Sequence, residues 1–123
     1  MAAYVHVGEQ LILELYVQNI QASCAFYCGY GFHVMRDDGD FMLLAWDDAV
    51  LYLEEVAGTT PHERPVGNIR IMVANVDHYW HMAQAKGAPI IKAIDNRPYG
   101  LRDFTIAGPD GIGLRFATRL SDR

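Results

Sequence analysis

Positive charge is scarce in this chain. Ten Lys and Arg residues face 15 Asp and Glu over 123 residues, a net charge of −5. The cations form no cluster. Nucleic-acid binders need a basic patch that releases condensed counterions, so no nucleic-acid partner is expected. Cysteine is almost absent, with only Cys24 and Cys28. On a helix their Cβ atoms would stand about 5–6 Å apart, whereas a disulfide wants about 3.5–4.5 Å. Two reduced thiols in a cytoplasmic protein are the expectation. Long apolar runs are missing too. The longest, Phe41 to Trp46, is far too short to span a membrane. The start, MAAYVHVGEQ, lacks the basic-then-apolar order of a secretory leader. Charged residues make only 20% against 51% hydrophobic, which argues against disorder. The length suits a single domain over residues 1–123 that buries roughly 65% of its unfolded surface.

What the chain does have is an internal repeat. A shift of 56 places Val17 on Val73, Asn19 on Asn75 and Gly31 on Gly87. A shift of 63 places Asp40-Phe41 on Asp103-Phe104, Asp47 on Asp110, Leu51 on Leu114 and Leu53 on Phe116. The difference leaves seven extra residues in the second copy, around Asp95 to Leu101. Two copies are a duplication rather than a solenoid, which needs three or more repeats.

Each copy reads as βαβββ. Leu11–Val17 and Asn68–Val73 alternate as strands do. Asn19 and Asn75 have the chemistry of helix N-caps. Ile20, Ser23, Cys24 and Tyr27 make one helical stripe; Val76, Tyr79, Trp80 and Ala83 make the other. Phe32–Arg36 and the short Pro89–Lys92 are strands, and two hairpins follow, around Asp47-Asp48 and Gly108-Pro109-Asp110-Gly111. The expected fold is α+β: two tandem βαβββ modules whose cupped mixed sheets carry helices on the outer face. Module 1 covers about 8–57, a linker 58–66 and module 2 about 67–120.

Strand parity then sorts the faces. Ala49, Leu51, Leu53, Ile112, Leu114 and Phe116 point to the helices. Ile12, Glu14, Tyr16, Tyr52, Glu54, Asn68, Arg70, Met72 and Arg115 point to a groove, joined by Phe41, Leu43, Phe104 and Ile106. Aromatics mixed with a few charges suit a small-molecule site; a solvated sheet face would also read this way.

The pattern resembles the vicinal-oxygen-chelate superfamily of glyoxalase I, extradiol dioxygenases, fosfomycin-resistance enzymes and bleomycin-resistance proteins. The matching pieces run from Val17-Gln18-Asn19-Ile20 through Gly31-Phe32 and Val73-Ala74-Asn75-Val76-Asp77. They end in Pro98-Tyr99-Gly100-Leu101-Arg102-Asp103-Phe104 and Gly108-Pro109-Asp110-Gly111, which look like the bleomycin-resistance branch. The resemblance puts the metal ligands of the enzyme branches at Ile12, Tyr52, Asn68 and Arg115. A divalent site uses His nitrogen or carboxylate oxygen, so neither a metal nor another cofactor is expected.

What the resemblance then implies is a metal-free homodimer that sequesters a small aromatic molecule such as an antibiotic. The residues expected to touch it are Tyr16, Phe41, Tyr52, Asn68, Arg70, Tyr99, Phe104 and Arg115. Tyr99 stands out because it rides on the insertion at the groove mouth, where its replacement by Ala should leave the melting temperature nearly unchanged. Arg70 and Arg115 could pair with Glu14 and Glu54 across the groove floor or recognise an anionic group. Dimerisation would also cover groove-face apolar groups such as Ile12, Leu43, Phe104 and Ile106. The alternative is a metal-independent lyase or isomerase in which Glu14, Glu54 or His33 acts as base. A third reading is a non-catalytic partner domain. His78 and His81 read as a solvated helix face, and Cys24 and Trp46 as packing residues.

Overall fold

The computed structural model describes residues 2–122. The chain divides into two compact units with the boundary after Pro61. That boundary lies within the Pro-containing segment 58–66. The first unit contains α1 (Val7–Gln10), β1 (Leu13–Val17), α2 (Ile20–Cys28), β2 (His33–Asp37), β3 (Phe41–Trp46) and β4 (Ala49–Glu55). Its strands lie in the order β1-β4-β3-β2. The β1–β4 pair is parallel and the other pairs are antiparallel. The second unit contains β5 (Asn68–Met72), α3 (Val76–Ala85), β6 (Ile90–Asn96), β7 (Leu101–Ala107) and β8 (Gly113–Arg119), closed by a 3-10 turn at Leu120–Asp122. Its order, β5-β8-β7-β6, and its parallel β5–β8 pair repeat the first unit. The fold is therefore α+β, with two mixed four-stranded sheets. No helix among the described residues is long and apolar enough to cross a membrane.

One face of each sheet is packed. In the first unit Leu15, Val17, Met42, Leu44, Leu51 and Leu53 are buried with Ile20 and Tyr27 of α2. In the second, Phe104, Ile106, Leu114 and Phe116 are buried beneath α3. There Tyr79 stacks on Phe116 at 4.7 Å, and Trp80 meets Phe104 edge-on at 5.2 Å. Such ring pairs add about 0.5–1.5 kcal/mol to the burial itself.

The helix starts show how the repeat diverged. Asn19 accepts from the Ala22 N–H at 3.1 Å, as an N-cap should. Glu55 Oε1 accepts from the Ile20 N–H beside it. Asn75, expected to cap α3, makes no side-chain cap bond. The hydroxyl of Thr118 does the work instead, accepting from the Val76 N–H at 2.9 Å and donating to the Val73 carbonyl at 2.8 Å. Thr118 occupies in β8 the place of Glu55 in β4.

Two expectations need correction, and one element is new. The seven extra residues do not form a free loop. They lengthen β6 to Asn96 and close a tight turn, with Arg97 N–H on the Leu101 carbonyl at 2.7 Å and Gly100 N–H on the Arg97 carbonyl at 3.1 Å. Gly100 has φ +90°, a conformation that costs a side chain dearly. The short helix α1 was not foreseen. Most consequentially, Phe104 and Ile106 do not face the groove. Phe104 pairs with Phe116 and Ile106 with Leu114, so both share the helix face and are fully buried. In the first unit Met42 pairs with Leu53, and Leu53 corresponds to Phe116. The counterpart of Phe104 is thus Met42, and the counterpart of Phe41 is Asp103. The reason is one extra residue in the second hairpin, which places Ala107 opposite Gly113 where the first places Ala45 opposite Val50. A one-residue slip turns every side chain of a strand over.

Candidate functional site

The open face of the second sheet is built around that exchange. Asp103 projects from β7 on the side away from α3, and its carboxylate is 1% exposed. Charge in such a place must be paired. Arg97 Nε donates to Oδ1 at 2.8 Å. The Tyr99 hydroxyl donates to Oδ2 at 2.7 Å. Arg115 donates to Oδ2 twice, from Nε at 3.0 Å and Nη2 at 2.7 Å. Three of these four bonds fall on Oδ2 and one on Oδ1, so both oxygens are held by charged or hydroxyl donors. Burial alone would raise its pKa, but the bonds from Arg97, Tyr99 and Arg115 prevail and hold it below the usual Asp range. Arg97 also donates to the Asp103 and Ala93 carbonyls, which ties the turn to both strands. Its neighbour Arg102 points the other way and bridges to Asp77 in the first turn of α3 at 2.9 Å.

Around this centre lies an open concavity of about 600 Å³ lined by Arg70, Tyr99, Leu101 and Arg115. The parallel pairing sets Arg70 directly beside Arg115. Asn68 stands one step along the same face, opposite Gly113. A Cβ on Gly113 would come within 2.9 Å of Thr105 Cγ2 and 3.3 Å of Asn68 Cβ, so only glycine lets these strands keep their side chains. Tyr99 is 54% exposed although its hydroxyl is anchored. The Arg115 guanidinium lies 5.6 Å from its ring centre and the Lys92 ammonium 5.9 Å, both within cation–π reach.

The structure therefore groups Asn68, Arg70, Tyr99 and Arg115 on one face. Arg115 finds its carboxylate in Asp103 of its own unit, not in Glu14 or Glu54. Phe104 is a core residue and lies on the opposite side of the sheet. In the first unit Tyr16, Phe41 and Tyr52 share the face away from α2. Phe41 and Tyr52 touch edge-on at 5.2 Å, Glu14 stands opposite Tyr52, and Tyr16 is 60% exposed. His33 pairs with Ala45 at the outer strand and is exposed. Asp103 and Arg97 escaped the sequence reading. Counting the residues between the two hairpin strands would have found Asp103, because the odd loop reverses the parity of β7.

The positions at which the resemblance puts metal ligands carry poor donors. Ile12 has no donor atom, and Arg115 brings a cation bonded to Asp103. Among the described residues no three His, Cys, Asp or Glu side chains converge. This donor set does not fit a divalent ion.

Comparison with known proteins agrees with this architecture. The family model "Glyoxalase/Bleomycin resistance protein/Dioxygenase superfamily" matches residues 4–116. Among solved structures, the antibiotic binding protein TnmS3 from Streptomyces sp. CB03234 superposes with a TM-score of 0.76 at 21% identity, over 97% of this chain and 99% of that one. A bleomycin-binding protein solved with bleomycin gives a TM-score of 0.71 at 19% identity, over 90% and 98%. A glyoxalase/bleomycin resistance protein/dioxygenase from Nocardioides gives 0.76 at 15%, over 98% and 87%. No curated protein sequence matches the chain significantly. With two copies of one βαβββ unit and a family match across nearly its whole length, the chain belongs to the glyoxalase/bleomycin resistance protein/dioxygenase superfamily.

Proposed function

We propose that this protein binds a small aromatic molecule, acts as a homodimer, and protects by sequestration rather than by turnover. The observation that carries the reading is the concavity over Arg70, Tyr99, Leu101 and Arg115, with a buried, arginine-paired carboxylate beneath it. A general base needs a free lone pair and a pKa near the working pH. Asp103 is paired with two arginines that hold its pKa below the usual Asp range, so the polar groups here orient and hold. Tyr99 supplies a stacking surface whose direction is set by its own hydroxyl. Tyr16, Phe41 and Tyr52 offer a similar aromatic surface on the first unit. Fold relatives that bind bleomycin or another antibiotic support the same class of cargo.

The test is a thermal-shift screen of bleomycin and other aromatic natural products, with and without chelator. A cargo at a hundredfold excess over its Kd should add about 2.7 kcal/mol of stability. It should be recovered with unchanged mass, and chelator should make no difference. A product released on repeated turnover would overturn sequestration and favour the enzyme reading.

A further inference from the structure

The charges on this face run against those of the chain. The whole protein carries −5. Yet Arg70, Arg97, Arg115 and Lys92 gather around one buried carboxylate, Asp103. A second carboxylate, Asp95, stands opposite Asp103 on β6 but turns onto the Asn96 N–H at 2.8 Å. Arg70 makes no hydrogen bond or ion pair among the described residues, and it sits directly across from Arg115. Like charges opposite one another on neighbouring strands are destabilising. Asp103 relieves only the Arg115 side, through Nε and Nη2, and leaves Arg115 Nη1 without a partner. Two neighbouring guanidiniums with free donors over a concavity form a receptor for a planar oxyanion.

We infer that the cargo carries an anionic group, a carboxylate or its like, seated between Arg70 and Arg115 beside the Tyr99 ring. This rests on the binding reading above and names its ligand class. It departs from the cationic cargo that the bleomycin-resistance resemblance suggests. Arg115 is held in place by Asp103, while Arg70 is the group left for the ligand to neutralise.

Three matched probes separate charge from shape: naphthoate, naphthamide and naphthylmethylammonium. Each is titrated at millimolar concentration into the full chain, observed by amide and arginine Nε chemical shifts. Naphthoate should bind about tenfold tighter than the ammonium, shifting β5, β8 and the Arg97–Gly100 turn. Added salt should weaken naphthoate alone. Arg70→Gln, at an exposed position, should bring naphthoate affinity down to that of naphthamide for the same variant. Equal or tighter binding of the ammonium would overturn the anionic cargo and leave the binding reading standing. So would a naphthoate preference that survives in Arg70→Gln. Failure of all three probes to bind would overturn both.

Discussion

At the scale of single residues, Asp103 is where stability and recognition meet. Its pKa is lowered in the folded state, so the stability it contributes is present above the ordinary carboxylate range. That contribution is lost as pH falls through the folded value. Asp103→Asn should therefore flatten the acid limb of the stability curve. At neutral pH it should cost about 3 kcal/mol in urea unfolding, because two arginines lose their common partner. An unchanged acid limb would show that Asp103 is not the controlling carboxylate. Tyr99 needs a revised expectation. Its hydroxyl bonds a buried charge, so Tyr99→Phe should cost about 1.5 kcal/mol, and Tyr99→Ala should cost at least as much. Cys24 and Cys28 are free thiols with sulfurs 3.8 Å apart. Burial, helped by the Cys24 sulfur, pushes the Cys28 thiol up to about 11. Its alkylation by iodoacetamide should stay slow at pH 8 and accelerate only toward pH 11. The stability gained from the neutral thiol is complete below the ordinary thiol range and fades as pH rises through the folded value.

At the scale of elements, the two helix starts give a differential test. Thr118→Val removes an acceptor from the Val76 N–H and should cost about 1–2 kcal/mol. Asn19→Ala should cost about 1 kcal/mol. Asn75→Ala should cost less than either, since its side chain caps nothing. Comparable losses at Asn75 and Thr118 would contradict this division of labour. The elements themselves were largely legible, because turn residues and apolar alternation recur in the same order in both copies. Their faces were legible only where the copies have equal spacing. Tyr52 and Arg115 were assigned correctly because β4 and β8 hold their register with β1 and β5. Phe104 was misplaced because alternation in Leu101–Ala107 is weak. Four consecutive residues of β7, Asp103 to Ile106, are buried, so apolarity does not mark the inner face. Asp103 could not be read as a site centre from composition, since its burial depends on two arginines and a tyrosine brought from other positions. The Thr118 cap was hidden for the same reason: donor and acceptor are 42 residues apart.

At the scale of the whole molecule, each sheet has a packed face and an open one. The open faces display Tyr16, Met72 and Tyr99. Phe104 and Ile106 no longer count among the apolar groups awaiting cover, so the proposed homodimer rests on the family resemblance and on these remaining side chains. Sedimentation velocity at micromolar concentration should give twice the mass of 13.8 kDa. A monomer throughout that range would overturn the proposal. The excess acid of the chain also matters for association. A net −5 slows the approach of an anion, so capture by the Arg70 face is short-range, set by hydrogen bonding within a Debye length of about 8 Å at physiological salt.

The odd residue in the β7–β8 hairpin shows how a binding face can be exchanged whole. In a duplicated chain, point substitutions change a binding face one side chain at a time, and each must be tolerated by the core. A single-codon change in a hairpin trades a strand's two faces in one event. Here the second copy has an aspartate on the open face where the first has a phenylalanine, and a phenylalanine inward where the first has a methionine. Removing the extra residue would turn Asp103 to the packed face and strand the charges of Arg97 and Arg115. The length of a loop, rather than the identity of any one residue, set the chemistry of this face.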